Sequence, residues 1–237
     1  MSTHGVVKNI FWAHKPAPVE CRRVYVWELP VRVTHWINAV ALVLVCITGY
    51  LIASGGYHPY WPGGIRFTHL VSAYVLIFSF LVRLYWGLVG NQYARWNNLL
   101  PITKKQWQEI VDVIKTYVLR VKKRGPISIG HNSLAAFIYF LTYVALVAET
   151  VTGFALCSSM STWWLPRMFT WVVPLLGGMM AVHYWHHMFL WFFVAFIIAH
   201  VCVSFYHDQF EGYGTISSIV SGWKFVREER PEQAEAE

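Results

Sequence analysis

Long apolar stretches alternate along the chain with shorter segments that collect most of its charge. Four runs, at about residues 33–53, 66–89, 133–157 and 184–206, are almost wholly apolar. Each has the length of about 20 residues that an α-helix needs to cross a hydrocarbon core. A backbone facing lipid must satisfy its hydrogen bonds within its own segment. The pattern therefore predicts an all-α, polytopic membrane protein whose four transmembrane helices pack as a bundle.

The connections carry patterns of their own. Residues 90–131 form a connection too long for a plain turn. Within it, "ITKKQWQEIVDVIKTYVLRVKK" sets Trp107, Ile110, Val111, Ile114, Val118 and Val121 at helical spacing. Lys104, Lys105, Glu109, Asp112, Lys115 and Lys122 fall on the opposite side. That spacing predicts an amphipathic helix at about 102–124, lying on the membrane surface and ended by Gly125 and Pro126. The third connection, "SSMSTWWLPRMFTWVVPLLGGMMAV", is apolar, but Pro166, Pro174, Gly177 and Gly178 divide it into pieces too short for a fifth span. Two readings stand for it: an interfacial aromatic belt, or a docking surface for a partner outside the cytoplasm. The chain thus divides into an N-terminal segment (1–30), a transmembrane domain (31–210) and a C-terminal tail (211–237).

Composition strengthens the membrane reading. Of 237 residues, 56% are hydrophobic and only 13% charged, where soluble domains carry about a quarter. The net charge of +7 raises nucleic acid as a partner, but its distribution excludes that reading. Eight Lys and Arg lie between residues 90 and 131, and others lie in the two terminal segments. The first and third connections have one each, Arg66 and Arg167. By the positive-inside rule the basic side is cytoplasmic, which puts both termini inside, and the basic segments suit anionic lipid. Arg83, near the same end of span two, agrees. The first 30 residues lack the unbroken apolar stretch of a signal peptide. Cys21, Cys46, Cys157 and Cys202 are scattered with neither disulfide nor zinc spacing.

The candidate chemistry lies in the histidines. His35 stands near the start of span one, in "VRVTHW", and His69 near the start of span two, in "IRFTHL". Span four holds His186 and His200, 14 residues apart. Fourteen residues is just under four helical turns, so both rings share one face about 21 Å apart. Because the spans alternate in direction, His69 matches the depth of His186 at the outer side, and His35 that of His200 at the inner side. Ionisable rings inside a membrane point to function, and neutral imidazole is an axial ligand of haem iron. The pattern predicts two bis-histidine haems b, one near each surface, with incidental packing or a proton relay as the competing readings. No C-x-x-C-H motif for covalent attachment is present.

Neighbouring residues carry weaker signals. Arg32 and Arg66 each precede a proposed ligand by three positions, so either can hold a haem propionate or simply snorkel. Gly49 in "TGY" and Gly153 in "TGF" lie near the outer ends of spans one and three. They make room either for a macrocycle edge or for close helix packing. Glu149, an acid well inside span three, fits a proton or quinone path or a bond to a neighbouring helix. His183 is a candidate propionate or interface partner and His187 an incidental one. His4, His14, His58 and His207 are expected in solvent, and His131 is expected to start span three.

These motifs resemble the b-type cytochrome subunit of membrane-bound nickel–iron hydrogenases. "R-V-T-H-W" with "T-G-Y", "I-R-F-T-H", "G-H-N", "H-Y-W-H-H…W…F…H" and the terminal "TISSIVSGWKF" carry the likeness from about Tyr25 to Phe225. The resemblance implies a four-helix, dihaem anchor in the bacterial cytoplasmic membrane, with His35, His69, His186 and His200 as haem ligands. It implies an electron-transfer subunit of a hydrogen:quinone oxidoreductase complex. It implies as partners the iron–sulfur small subunit, through that the nickel–iron large subunit, and quinone as acceptor. It departs from the family at Tyr206–His207–Asp208, where an acidic stretch is usual, so no quinone site is carried over. The cytochrome b subunit of a formate dehydrogenase is the near alternative, and a haem-free membrane anchor or transporter the alternative of another class.

Overall fold

The computed structural model describes residues 21–55, 63–98, 103–119, 129–211 and 214–227. In it the four apolar runs are helices: α1 (Leu29–Ala53), α2 (Gly64–Val89), α4 (Ser133–Ser158) and α7 (Met179–Glu211). Each is long and apolar enough to cross a membrane. Local chemistry sets several of their ends. Pro30 sits in the first turn of α1, where a missing N–H costs nothing. Asn132 caps α4 by accepting from the Ala135 N–H at 2.8 Å, so Asn132 rather than its neighbour His131 starts this helix. Gly177 and Gly178 both have positive φ, 93° and 114°, and turn the chain just before α7.

The bundle core is narrow, as lipid replaces water around it. Ala41, Cys46, Leu76, Phe80, Leu146 and Phe193 are among its buried side chains. Large apolar residues on the other faces stay open, with Val40 at 61% and Phe78 at 70% exposure. In water such exposure would be unfavourable, whereas hydrocarbon solvates these side chains as well as the core does. The four cysteines are free thiols.

Three elements differ from the sequence-based expectation. Helix α7 starts five residues before the apolar run and ends five after it, so His207 is half-buried within a helix rather than in solvent. The surface helix is α3 (Lys104–Val113), opened by a Thr103–Gln106 capping box and continued by a π-turn over Ile114–Val118; its expected extension to 124 lies outside the described residues. It packs against the start of α4, where Trp107 meets the Phe137 ring at 5.7 Å; Ile110 and Val113 are buried, while Val111 remains open. Glu109, expected on the polar side, accepts a hydrogen bond from the Ser133 hydroxyl. Finally, the terminal segments are joined. Strand β1 (Cys21–Tyr25) pairs antiparallel with β2 (Trp223–Arg227), and α8 (Thr215–Ser221) leads into β2. Val26 and Ser218 are fully buried there, and the Trp27 indole N–H donates to the Ser218 hydroxyl at 3.2 Å.

The third connection behaves as its breakers dictate. It folds as two single turns, α5 (Trp164–Arg167) and α6 (Val172–Leu175), packed against the ends of α4 and α7. Pro166 and Val172 are buried beneath it, while Trp164 is 71% and Leu175 69% exposed. One end of the bundle is thus aromatic and apolar, and the other carries the basic segments.

Candidate functional site: two histidine pairs along one helix

Helix α7 presents His186 and His200 toward two different neighbours. At the aromatic end, His186 faces His69 of α2 with ring centres 6.4 Å apart. At the basic end, His200 faces His35 of α1 at 6.2 Å. All four histidines singled out in the sequence are therefore drawn into two pairs, at the two depths their positions imply. Two imidazoles on opposite sides of one metal ion, each bonded at about 2.0 Å, have ring centres about 6.3 Å apart. Both observed spacings fit that arrangement. Each pair offers two nitrogen ligands. Among the described residues no group of three or more His, Cys, Asp or Glu is arranged to hold an ion unaided. A bound metal would need its remaining donors from a cofactor, as iron obtains them from a porphyrin.

The pair at the aromatic end is held by a duplicated device. Thr48 on α1 has its hydroxyl 3.0 Å from His69 Nδ1, and Thr152 on α4 has its hydroxyl 3.0 Å from His186 Nδ1. Each hydroxyl spends its proton on its own helix, Thr48 donating to the Leu44 carbonyl at 2.6 Å and Thr152 to the Ala148 carbonyl at 2.9 Å. What faces the ring is then a lone pair, which accepts from Nδ1–H. That fixes the tautomer and leaves Nε2 free as a ligand. The next residue in each case is glycine. A Cβ at Gly49 would lie 3.3 Å from His69 Cε1, and one at Gly153 would lie 3.1 Å from His186 Cε1. The glycines of "TGY" and "TGF" thus admit the imidazoles themselves. Threonine positions the ring and glycine gives it space.

Glu149 lies beside the same pair. Its Oε2 is 3.2 Å from His186 Nδ1, but the aligned bond goes to Thr152, and this buried oxygen has no hydrogen-bond partner among the described residues. Arg66 is exposed at the first turn of α2. His183 is exposed, and His187 stacks edge-on to Trp191 at 6.1 Å, away from the paired rings.

The basic end is built differently. His200 Nδ1 lies 3.3 Å from the Tyr139 hydroxyl, and Phe196 stacks on the His200 ring at 5.5 Å. His35 Nδ1 is buried with no partner among the described residues. Arg32 donates to the Val220 carbonyl, tying α1 to the C-terminal segment, and keeps a buried Nε with no partner among the described residues. Arg83 is 6% exposed, donates to the Ala94 carbonyl at 3.1 Å, and has a buried Nη1 with no partner among the described residues. His131 packs between Trp27 and Tyr139, with ring centres 4.7 and 4.8 Å away. Burial, then the Arg83 and Lys224 charges, push its pKa down to about 3. It is a neutral ring in the wall of this end. His4, His14 and His58 lie outside the described residues.

Thr48, Thr152, Tyr139 and the bond between Trp27 and Ser218 were not singled out from the sequence. The first two had a signal: both glycines chosen for their depth are preceded by threonine. Tyr139 had none, since an aromatic residue is unremarked in an apolar span.

The chain is similar to known proteins over most of its length. The family described as prokaryotic cytochrome b561 matches residues 26–222, a stretch containing both pairs. A "probable Ni/Fe-hydrogenase B-type cytochrome subunit" of Azotobacter vinelandii is 37% identical over 222 residues, covering 88% of this chain and 91% of that protein. One of Cupriavidus necator is 36% identical, covering 87% and 89%. A "probable Ni/Fe-hydrogenase 1 B-type cytochrome subunit" of Escherichia coli is 32% identical, covering 84% and 90%.

Proposed function

The chain belongs to the prokaryotic cytochrome b561 family, and from that membership we propose that it is the membrane-anchoring B-type cytochrome subunit of a nickel–iron hydrogenase. It carries electrons from hydrogen oxidation through two haems b to the quinone pool. The observation that carries the reading is the pairing of all four histidines along α7 at 6.4 and 6.2 Å, in a family whose members hold haem b. When bound, each haem supplies a one-electron ferric/ferrous couple. The protein supplies position and electrostatics.

The residues divide the work. His69 and His186 ligate one haem and His35 and His200 the other, all through Nε2. Thr48 and Thr152 hold the first two rings in the ligating tautomer. The unpartnered Arg32 Nε is a donor for a propionate at the basic end, since a buried guanidinium N–H without an acceptor is unfavourable. Arg66 serves the same purpose from the exposed first turn of α2. The basic end faces the cytoplasm, as the distribution of Lys and Arg supports. The aromatic end then faces the periplasm, where the exposed Trp163, Trp164, Trp171 and Met168 offer an apolar surface to the iron–sulfur small subunit. Through that subunit the large nickel–iron subunit is linked to the membrane.

The test is cofactor loading. Wild-type protein purified in detergent should show two low-spin haems b per chain by pyridine haemochrome and reduced-minus-oxidised spectra. His69→Ala or His186→Ala should remove one, and His35→Ala or His200→Ala the other. Retention of both haems in any of these variants would sink the assignment. Co-purification of a molybdenum or tungsten protein in place of a nickel–iron one would move the chain to a formate dehydrogenase.

A further inference from the structure

The two pairs differ in what their Nδ1 atoms meet, and that difference bears on redox potential. An acceptor on the Nδ1–H of a metal-bound imidazole draws the proton away from the ring and makes the ligand more basic. A more basic axial ligand favours ferric over ferrous iron, which lowers the potential. Hydrogen bonding to the ligands is one of the levers a protein has on haem.

At the aromatic end both rings have such acceptors. Thr48 and Thr152 stand 3.0 Å from Nδ1 of His69 and His186, with their hydroxyl protons already used within their own helices. Glu149 Oε2 lies 3.2 Å from His186 Nδ1 without an aligned hydrogen bond to it, so it acts on that ring through the dipole of its carboxyl group. At the basic end the supply is poorer. His35 Nδ1 has no partner among the described residues. His200 Nδ1 meets the Tyr139 hydroxyl at 3.3 Å, and a phenol is a weaker acceptor than an aliphatic hydroxyl because its lone pair is shared with the ring. The surroundings act in the same direction. Arg83, buried, and Arg32, half-buried, place positive charge at the basic end, which favours the reduced state there.

We infer that Thr48, Thr152 and Glu149 are positioning residues that hold the haem between His69 and His186 at a lower potential than the haem between His35 and His200. Electron flow from the aromatic end to the basic end along α7 is then downhill. The inference rests on the two-haem reading above and adds an ordering with named causes. It assigns the repeated Thr–Gly pair a purpose: the glycine lets the ring in and the threonine sets its electronic character.

The experiment is a spectroelectrochemical titration of the purified full-length chain at one fixed pH. Two waves are expected in the wild type, and the haem retained in His200→Ala should titrate with the lower one. Thr48→Val and Thr152→Val should each raise the lower wave and leave the upper one in place, the double variant raising it further. Thr152→Ser, which keeps the acceptor, should restore the wild-type value. Glu149→Gln should give a smaller rise, and Tyr139→Phe should move the upper wave alone. If the double variant does not assemble, the single variants carry the same test. Two bound haems whose lower wave is unmoved in Thr48→Val and Thr152→Val would overturn the inference alone, as would a His200→Ala protein whose haem titrates at the upper wave. A wild type that binds one haem would overturn the two-haem reading itself.

Discussion

The two ends of α7 solve one problem, holding a pair of imidazoles inside a membrane, by different means. At the aromatic end each ring is fixed by a threonine and a glycine from a neighbouring helix, so the positioning is local and built into short motifs. At the basic end the rings are enclosed by parts distant in sequence: Tyr139, His131, Trp27 and the segment around β1, β2 and α8. The first arrangement tolerates little change at two dipeptides. The second is spread over many contacts, each of modest weight, and depends on the β1–β2 pair and α8 being in place.

The largest effect that separates the ends comes from the glycines. Gly153→Ala places a Cβ 3.1 Å from the His186 ring and Gly49→Ala one 3.3 Å from the His69 ring. Both displace an imidazole by a few tenths of an ångström. Gly153→Ala should lose the low-spin signature of one haem in electron paramagnetic resonance, and Gly49→Ala should weaken it, with the other haem intact. An equal loss of both signals would mean that the ends are not independent.

A smaller effect tests the basic end. His131 has a folded-state pKa near 3 against 6.5 unfolded, so the unfolded chain takes up its proton first as pH falls. Stability is therefore unaffected above about pH 7 and declines between pH 6.5 and 3, by about 2 kcal/mol from pH 7 to pH 5. Thermal unfolding in detergent should show this acid limb, and His131→Phe should flatten it. An unchanged limb would place His131 in a more polar setting than its ring contacts indicate.

The smallest expected change is at the join of the termini. Ser218→Ala leaves the Trp27 indole N–H without its acceptor, which costs about 1 kcal/mol. Denaturation monitored at the two haem bands should show the basic-end haem released earlier than in the wild type, with the aromatic-end haem unaffected. Simultaneous release at an unchanged midpoint would count against a separate structural role for this join.

Much of the site was legible because membrane helices obey few rules. Apolar length gave the four spans, and the 14-residue interval placed His186 and His200 on one face of α7. Alternating direction then matched each with a partner at its own depth. In the duplicated "TG" the glycine is conspicuous along the chain for its size, while the purpose of the threonine before it emerges only where two helices meet. The role proposed for the surface helix was only partly legible. Its apolar spacing gave a helix with Ile110 covered, but the burial of Val113, which lies outside that spacing, came only with the fold.

By itself the sequence determined the number of spans, their alternation and the places of His35, His69, His186 and His200 along them. Those follow from one dimension, the rise of a helix against the thickness of hydrocarbon. Only the tertiary structure decided which atoms meet across helices. The Thr48 and Thr152 bonds to the rings, the 6.4 and 6.2 Å spacings, and the β1–β2 pairing of residues about 200 positions apart depend on rotation and close approach of separate elements. Hydrophobicity drives no such choice within lipid; small residues and polar bonds make it, and these are individual contacts rather than a pattern along the chain.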